Sequence, residues 1–234
     1  MPIRAIFFDV GETLVDEHRL YRDYAMRMDV TYDYFIAKIE EAMARREPIR
    51  NVFTAVKPGF DFKAARAQRD AEGKTFVIGA HDLYPDAAPS LSALKARGYF
   101  IGIVGNQPST AEAMLRESGL AADFIATSEG WGVAKPDEAF FQKVIEAAGM
   151  ESRHIAYVGD RVDNDVLPAR AAGIWPILIR RGPWGRAQWN WPEAQHAHLK
   201  VESLAELPEL LRGAVNEMGA TSPDAKRLRP SGRR

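Results

Sequence analysis

The sequence predicts an α/β fold: a Rossmann-like, doubly wound parallel sheet with an all-helical cap inserted after the first strand. Three observations predict it. Five short apolar runs rich in strand formers recur along the chain. Most are separated by helical patterns that stop at a glycine. One long stretch near the N-terminus has helical periodicity and no convincing strand. Strands that alternate with helices build a mostly parallel sheet with helices on its faces.

Taken in order, residues 4–8 (RAIFF) form the first strand, which ends at Asp9 before a turn signal at Gly11. Residues 17–82 are polar, Arg-rich and helical in period. Phe35, Ile36, Ile39, Ala42 and Met43 make a 3–4 spaced stripe, Ala64, Ala65 and Arg66 lead another helix, and Pro58-Gly59 separates the two. Met26, Met28 and Met43 read as core of this insert. A plain crossover between strands needs far fewer residues, so 17–82 is expected to be a helical cap. A helix over 87–97 places Leu91 and Leu94 three apart and stops at Gly98. Strand 99–104, helix 109–118 with Gly119, and strand 123–126 follow. Helix 136–148 carries Pro136 in its first turn and ends at Gly149. Strand 155–158 leads to helix 163–172, capped by Asp163 and stopped by Gly173, and then to strand 175–179. RRGPWGRAQWNWPE reads as an aromatic loop, in which Trp184, Trp189 and Trp191 either pack on the domain edge or line a partner or substrate surface. An amphipathic helix over about 203–211 closes the fold. The expected organisation is a core of 1–16 and 83–218, a cap of 17–82 and a flexible basic tail of 219–234.

Composition sets the outer limits. The chain has 234 residues, 46% of them hydrophobic, which is enough to bury a core and excludes wholesale disorder. Lys and Arg total 31 and Asp and Glu 32, so the net charge of −1 gives no global field for nucleic acid. That balance hides an asymmetry: residues 219–234 carry +4 and the rest of the chain −5. With no cysteine, disulfides, thiolate metal sites and a cysteine nucleophile are all excluded. Asp9 interrupts the first apolar run far short of a signal-peptide core, and no stretch approaches the ~18 apolar residues of a spanning helix. A soluble, cytoplasmic protein with no membrane partner is expected.

In a doubly wound sheet, ligands bind beyond the carboxyl ends of the strands. Asp9 stands at one such end, Gly105-Asn106 at a second, and Gly159-Asp160 at a third with Asp163 and Asp165 behind it. Lys135-Pro136-Asp137 opens a helix. Two strand-end carboxylates and a lysine fit a site for a divalent cation and an anion, and Mg²⁺ prefers carboxylate oxygens while keeping waters for a phosphate. Blander readings stand beside this one. Asp9 can cap a turn, Lys135 can be a solvated loop lysine, and the three aspartates can be acids favoured at a helix start. A calcium loop fails, because Val162 falls third from Asp160 and Leu167 fifth from Asp163. His18 and His81 read as surface histidines.

Four passages in order carry a family resemblance: FFDVGETLVD, IGIVGNQ, GVAKPDEAFF and YVGDRVDNDVLPARAAG. The chain resembles the haloacid dehalogenase-like superfamily over about residues 3–213, in its branch with a helical cap after the first strand. The resemblance implies a phosphatase of a small phosphomonoester. Asp9 would be the nucleophile that forms an aspartyl-phosphate, and Thr13 lies four residues on. Gly105, Asn106 and Lys135 would bind the phosphoryl group. Mg²⁺ would be held by the Asp9 carboxylate, the Gly11 carbonyl and Asp160, with Asp165 supporting it directly or through water.

The chain departs from the family pattern at two positions. Gly11 stands where most of these phosphatases carry a second aspartate as general acid/base, help typically worth ~10²–10⁴ in rate. Glu12 and His18 are the candidate substitutes. Gly105 stands where a Ser or Thr hydroxyl usually binds a phosphate oxygen, a hydrogen bond worth roughly 1.5–3 kcal/mol. Weaker phosphate binding is expected unless Asn106 or Gln107 compensates. The alternatives are a catalytically weakened binding or regulatory protein on this scaffold, and a haloacid dehalogenase. Against the latter stand Asp160 and the absence of an aromatic residue at position 11.

Overall fold

The structure is a computed structural model and describes residues 2–47, 50–73 and 78–212. The tail expected over 219–234 lies outside the described residues. Six parallel strands form one sheet: β1 (Ala5–Phe8), β2 (Phe100–Gly105), β3 (Phe124–Thr127), β4 (Ile155–Gly159), β5 (Trp175–Ile179) and β6 (Leu199–Val201). Their order is β3-β2-β1-β4-β5-β6. The five strands read from the sequence are all present. The sixth was missed because three residues are too few to show a period.

Both faces of the sheet are covered. Ile6 and Phe8 point to one side, where they meet Leu91 and Leu94 of α5 (Ala87–Ala96) and Leu115 of α6 (Ala111–Glu117). Ala5 and Phe7 point to the other, against Phe140, Phe141 and Val144 of α8 (Glu138–Ala148) and Ala169 of α9 (Leu167–Ala171). Burial on both faces explains why β1 reads as an unbroken apolar run. The four glycines read as helix stops, Gly98, Gly119, Gly149 and Gly173, all adopt positive φ, which a glycine enters without steric cost.

The segment between β1 and α5 is helical. It contains α1 (His18–Met28), α2 (Tyr32–Ala44), α3 (Arg50–Val56) and α4 (Phe62–Ala71). The stripe of Phe35, Ile36, Ile39, Ala42 and Met43 is buried in a separate apolar cluster with Tyr21, Tyr24, Met28 and Phe53. Met26 does not join it and is 69% exposed. In α1 the inward face runs through residues 21, 24, 25 and 28, and position 26 falls on the opposite side.

Three local expectations are corrected. The segment after β5 is a helix, α10 (Gly182–Gln188), followed by a 3₁₀ turn over Pro192–His196. Two glycines and a proline in seven residues hide its helical character, yet Pro183 sits in the first turn, where a missing N–H costs nothing. All three of its tryptophans are packed. Trp184 enters the cluster of the helical insert, while Trp189 and Trp191 lie against Val162, Val166, Leu178 and Ala194. The helix expected over 163–172 begins instead as a π-helical turn, Val162–Val166, and becomes α9 only afterwards. Asp163 therefore caps nothing. Its carboxylate accepts hydrogen bonds from Arg161 and Gln188.

Candidate active site

Strand order places the site. β1 lies between β2 and β4, so chain connections leave in opposite directions at the β1–β4 boundary and open a crevice there. Phe8 is level with Ile103 of β2 and Val158 of β4. Asp9, Gly105 and Asp160 accordingly leave the sheet within two residues of the same level. Asp165 reaches the same point from the π-helical turn, where its Oδ2 accepts the Arg161 amide at 3.0 Å. Its carboxylate fills the space that a side chain at Gly159 would need. One oxygen from each of Asp9, Asp160 and Asp165 lies within 4.8 Å of the others.

Lys135 comes from the loop before α8 and is completely buried at its tip. Its Nζ stands 2.7 Å from Asp9 Oδ1 and 2.6 Å from Asp165 Oδ1. Asn106 sets that loop: its Oδ1 accepts the Lys135 amide at 2.8 Å and its Nδ2 donates to the Lys135 carbonyl at 2.9 Å. One Nδ2 hydrogen remains for a ligand. Tyr157, under the ammonium, donates to the Val104 carbonyl at 2.9 Å and thereby ties β4 to β2 below the site.

The pocket gathers more carboxyl groups than cations. Burial, and then the charges of Asp165 and Asp9, hold the Asp160 carboxyl well above its ordinary range. Burial also lifts Asp165 to about 6 against the pull of Lys135. Burial and the neighbouring Glu17 push Glu12 to about 8. Burial opposes the Lys135 charge, but Asp165 and Asp9 outweigh it and hold the ammonium above its usual value. Arg161, at the rim, is occupied by Asp163 at 2.7 Å and lies over the Trp184 ring. One buried lysine stands among three buried aspartates, so a hard cation would favour their ionised forms. The donors are oxygens throughout, so the set fits Mg²⁺ by chemistry.

The two departures at Gly11 and Gly105 have structural counterparts. A Cβ on Gly105 would lie 2.5 Å from Asp9 Oδ1 and 3.2 Å from the Val10 amide nitrogen. No gap exists there, because the Asp9 carboxylate itself occupies the room. A Cβ on Gly11 would lie 2.6 Å from Oε1 and 2.8 Å from Cδ of Glu17. Glu17 escaped the sequence reading because it stands six residues further on with no motif around it. It reaches the site because the Val10 carbonyl accepts the amides of Leu14 and Val15, both at 2.9 Å, which turns the chain back over Gly11. Burial, and then the charge of Asp9, raise Glu17 to about 7.

Of the two candidate proton donors read from the sequence, Glu12 lines the pocket but accepts a hydrogen bond from Tyr84, at 2.5 Å. His18 turns to Asp16, 3.1 Å away, with 42% of its side chain exposed. Thr13 is fully buried, its carbonyl accepting from Arg181 at 2.7 Å. The pocket around Asp9, Lys135 and Asp160 measures about 190 Å³. A larger cleft of about 600 Å³ adjoins it at Glu17, Asn106 and Gln107, walled by Tyr24 and Phe62 of the insert.

A family profile described as haloacid dehalogenase-like hydrolase matches residues 3–173. The chain belongs to the haloacid dehalogenase-like hydrolases. It is 30% identical over 203 residues to a glyceraldehyde 3-phosphate phosphatase of Methanopyrus kandleri, covering 78% of this chain and 86% of that one. It is 32% identical over 144 residues to a phosphoserine phosphatase of Thermus thermophilus, covering 60% and 58%. Among solved structures, the magnesium-bound putative hydrolase YfnB of Bacillus subtilis is similar in fold, with a TM-score of 0.65, 21% identity, and 90% and 99% of the two chains covered. This hydrolase has, among its described residues, no helix long and apolar enough to cross a membrane.

Proposed function

We propose that this hydrolase is a Mg²⁺-dependent phosphatase of a small phosphomonoester that works through an aspartyl-phosphate at Asp9. The observation that carries the reading is the Asp9 carboxylate at the end of the central strand, held 2.7 Å from Lys135 and grouped with Asp160 and Asp165. The relatives named as phosphatases support the same reading.

Asp9 is an oxygen nucleophile aligned by Lys135, and Lys135 places positive charge where the phosphoryl oxygens gather it in the transition state. Asp165 and Asn106 fix Lys135 from two sides. Asp9, Asp160 and the Gly11 carbonyl, supported by Asp165, are the groups that would hold Mg²⁺. When bound, the cation supplies further positive charge against the phosphoryl oxygens. The remaining donors for a phosphate oxygen are the amides near Gly105 and the free hydrogen of Asn106. Tyr21, Tyr24 and Phe62 of the helical insert wall the pocket and the adjoining cleft, where they would face the substrate.

The test is release of p-nitrophenol from p-nitrophenyl phosphate with Mg²⁺, with EDTA, and with Asp9→Asn. Activity is expected only in the intact protein with Mg²⁺. Equal rates for Asp9→Asn and the intact protein would remove Asp9 from the chemistry. A phosphate panel headed by glyceraldehyde 3-phosphate and phosphoserine then reads the substrate. Mg²⁺ binding with no turnover across that panel would favour the binding-protein alternative.

A further inference from the structure

We propose that Glu17 is the general acid/base of this site, reaching the leaving oxygen through the space that a side chain at position 11 would otherwise fill. The inference rests on the phosphatase reading above.

A sugar or amino-acid alcohol leaves phosphorus poorly as an alkoxide, and the water that later attacks an acyl phosphate is a poor nucleophile until it loses a proton. Asp9 and Lys135 do neither task, since one is the nucleophile and the other is locked between two carboxylates. Glu17 stands at the right place. Its carboxyl lies against Gly11, two residues from the nucleophile, and borders both the catalytic pocket and the wider cleft, where the rest of a substrate would extend. Its hydrogen-bond partners are neutral: Tyr21 Oη donates to Oε2 at 3.2 Å, and the Gln107 side chain supplies the other contact. Glu17 precedes α1 at the N-cap, yet its side chain makes no capping bond and turns inward instead. Glu12 is engaged by Tyr84 and packed against Gly182, and His18 faces Asp16, so neither competes.

The proton accounting closes. In the first step an Asp9 oxygen bonds to phosphorus, the bond from phosphorus to the leaving oxygen breaks, and the Glu17 carboxyl proton passes to that oxygen to give the alcohol. In the second step a water oxygen bonds to phosphorus, its proton passes to the Glu17 carboxylate, and the bond from phosphorus to Asp9 breaks. Phosphate, free Asp9 and protonated Glu17 result.

Glu17→Gln keeps the shape and removes the transferable proton. Against an alkyl phosphate such as glycerol phosphate its kcat is expected to fall by ~10²–10⁴. With p-nitrophenyl phosphate, whose leaving group needs no proton, it is expected to release about one equivalent of p-nitrophenol in a burst and then stall as a phosphoenzyme seen by intact mass. Gly11→Asp alone is expected to be inactive, because two carboxyls contend for one space. Gly11→Asp with Glu17→Ala is expected to recover alkyl phosphate turnover, a rescue that a merely structural role of Glu17 does not produce. Unchanged alkyl phosphate kcat in Glu17→Gln, with Asp9→Asn inactive, would overturn the role of Glu17 and leave the phosphatase reading standing. An active Asp9→Asn would instead remove the reading beneath it.

Discussion

The Asp9 carboxylate occupies the space in which a side chain at residue 105 would begin, with Oδ1 2.5 Å from the site of a Cβ on Gly105. The same oxygen is 2.7 Å from Lys135 Nζ. A hydroxyl added at 105 would therefore not supply a missing phosphate contact. It would first turn Asp9 away from its lysine.

Gly105→Ser is accordingly expected to lower kcat/KM for p-nitrophenyl phosphate rather than raise it. Losing one charge-assisted hydrogen bond of roughly 1.5–3 kcal/mol corresponds to a fall on the order of ten- to a hundredfold. Steady-state kinetics of the variant beside the parent check this, and a gain in kcat/KM contradicts it.

Lys135→Met is expected to abolish turnover and to destabilise the fold. It leaves Asp9 and Asp165 buried without their shared cation, a loss of the kind that costs about 3–5 kcal/mol. Asn106→Ala removes the two bonds that hold the Lys135 loop and is expected to cut activity while costing less stability. Urea titration of both variants, followed by activity assays, separates the two effects.

Stability of the metal-free protein is expected to fall as pH rises through the neutral range. Glu12, Glu17 and Asp165 bind protons in the folded state up to about 8, 7 and 6, against ordinary values of 4.5, 4.5 and 3.8. Between each pair of values the folded state carries a proton that the unfolded chain lacks. Their contribution is therefore fully present below the ordinary values and is lost as pH rises through the folded ones. Mg²⁺ favours the ionised carboxylates and is expected to flatten this slope. Thermal melts at about pH 5.5 and about pH 8.5, each with EDTA and with Mg²⁺, read the sign directly.

Trp184→Ala is expected to destabilise the protein by about 3–5 kcal/mol. The ring is 8% exposed, stacks on Tyr21 with centroids 6.0 Å apart, and joins α10 to the cluster of the helical insert. Glu193→Ala breaks the exposed pair with Arg46 and is expected to cost no more than about 1 kcal/mol. KM is expected to rise in Trp184→Ala, because Tyr21 beside Glu17 loses its support. Denaturant melts and substrate titrations of both variants test the contrast.

The sequence by itself determined the alternation of strands and helices, the helical insert, and which residues end at the crevice. Asp9 and Asp160 were legible as strand ends, which local periodicity and turn chemistry set, whereas Lys135 and Asp165 stood out through the family resemblance. Five of six strands followed from their apolar runs, and the helix stops from glycines that alone adopt positive φ cheaply. What the two glycines of the site mean was decided only by the tertiary structure. Read along the chain, Gly11 and Gly105 are missing functional groups. In the folded molecule both are spaces filled by carboxyls from elsewhere, Glu17 at one and Asp9 at the other. The helix hidden in a glycine- and proline-bearing run, and Trp184 buried in the insert, belong to the same class. The physical reason is the range of the interactions. Periodicity and capping act within a few residues, whereas the volume beside a glycine is fixed by whatever the fold brings into contact with it.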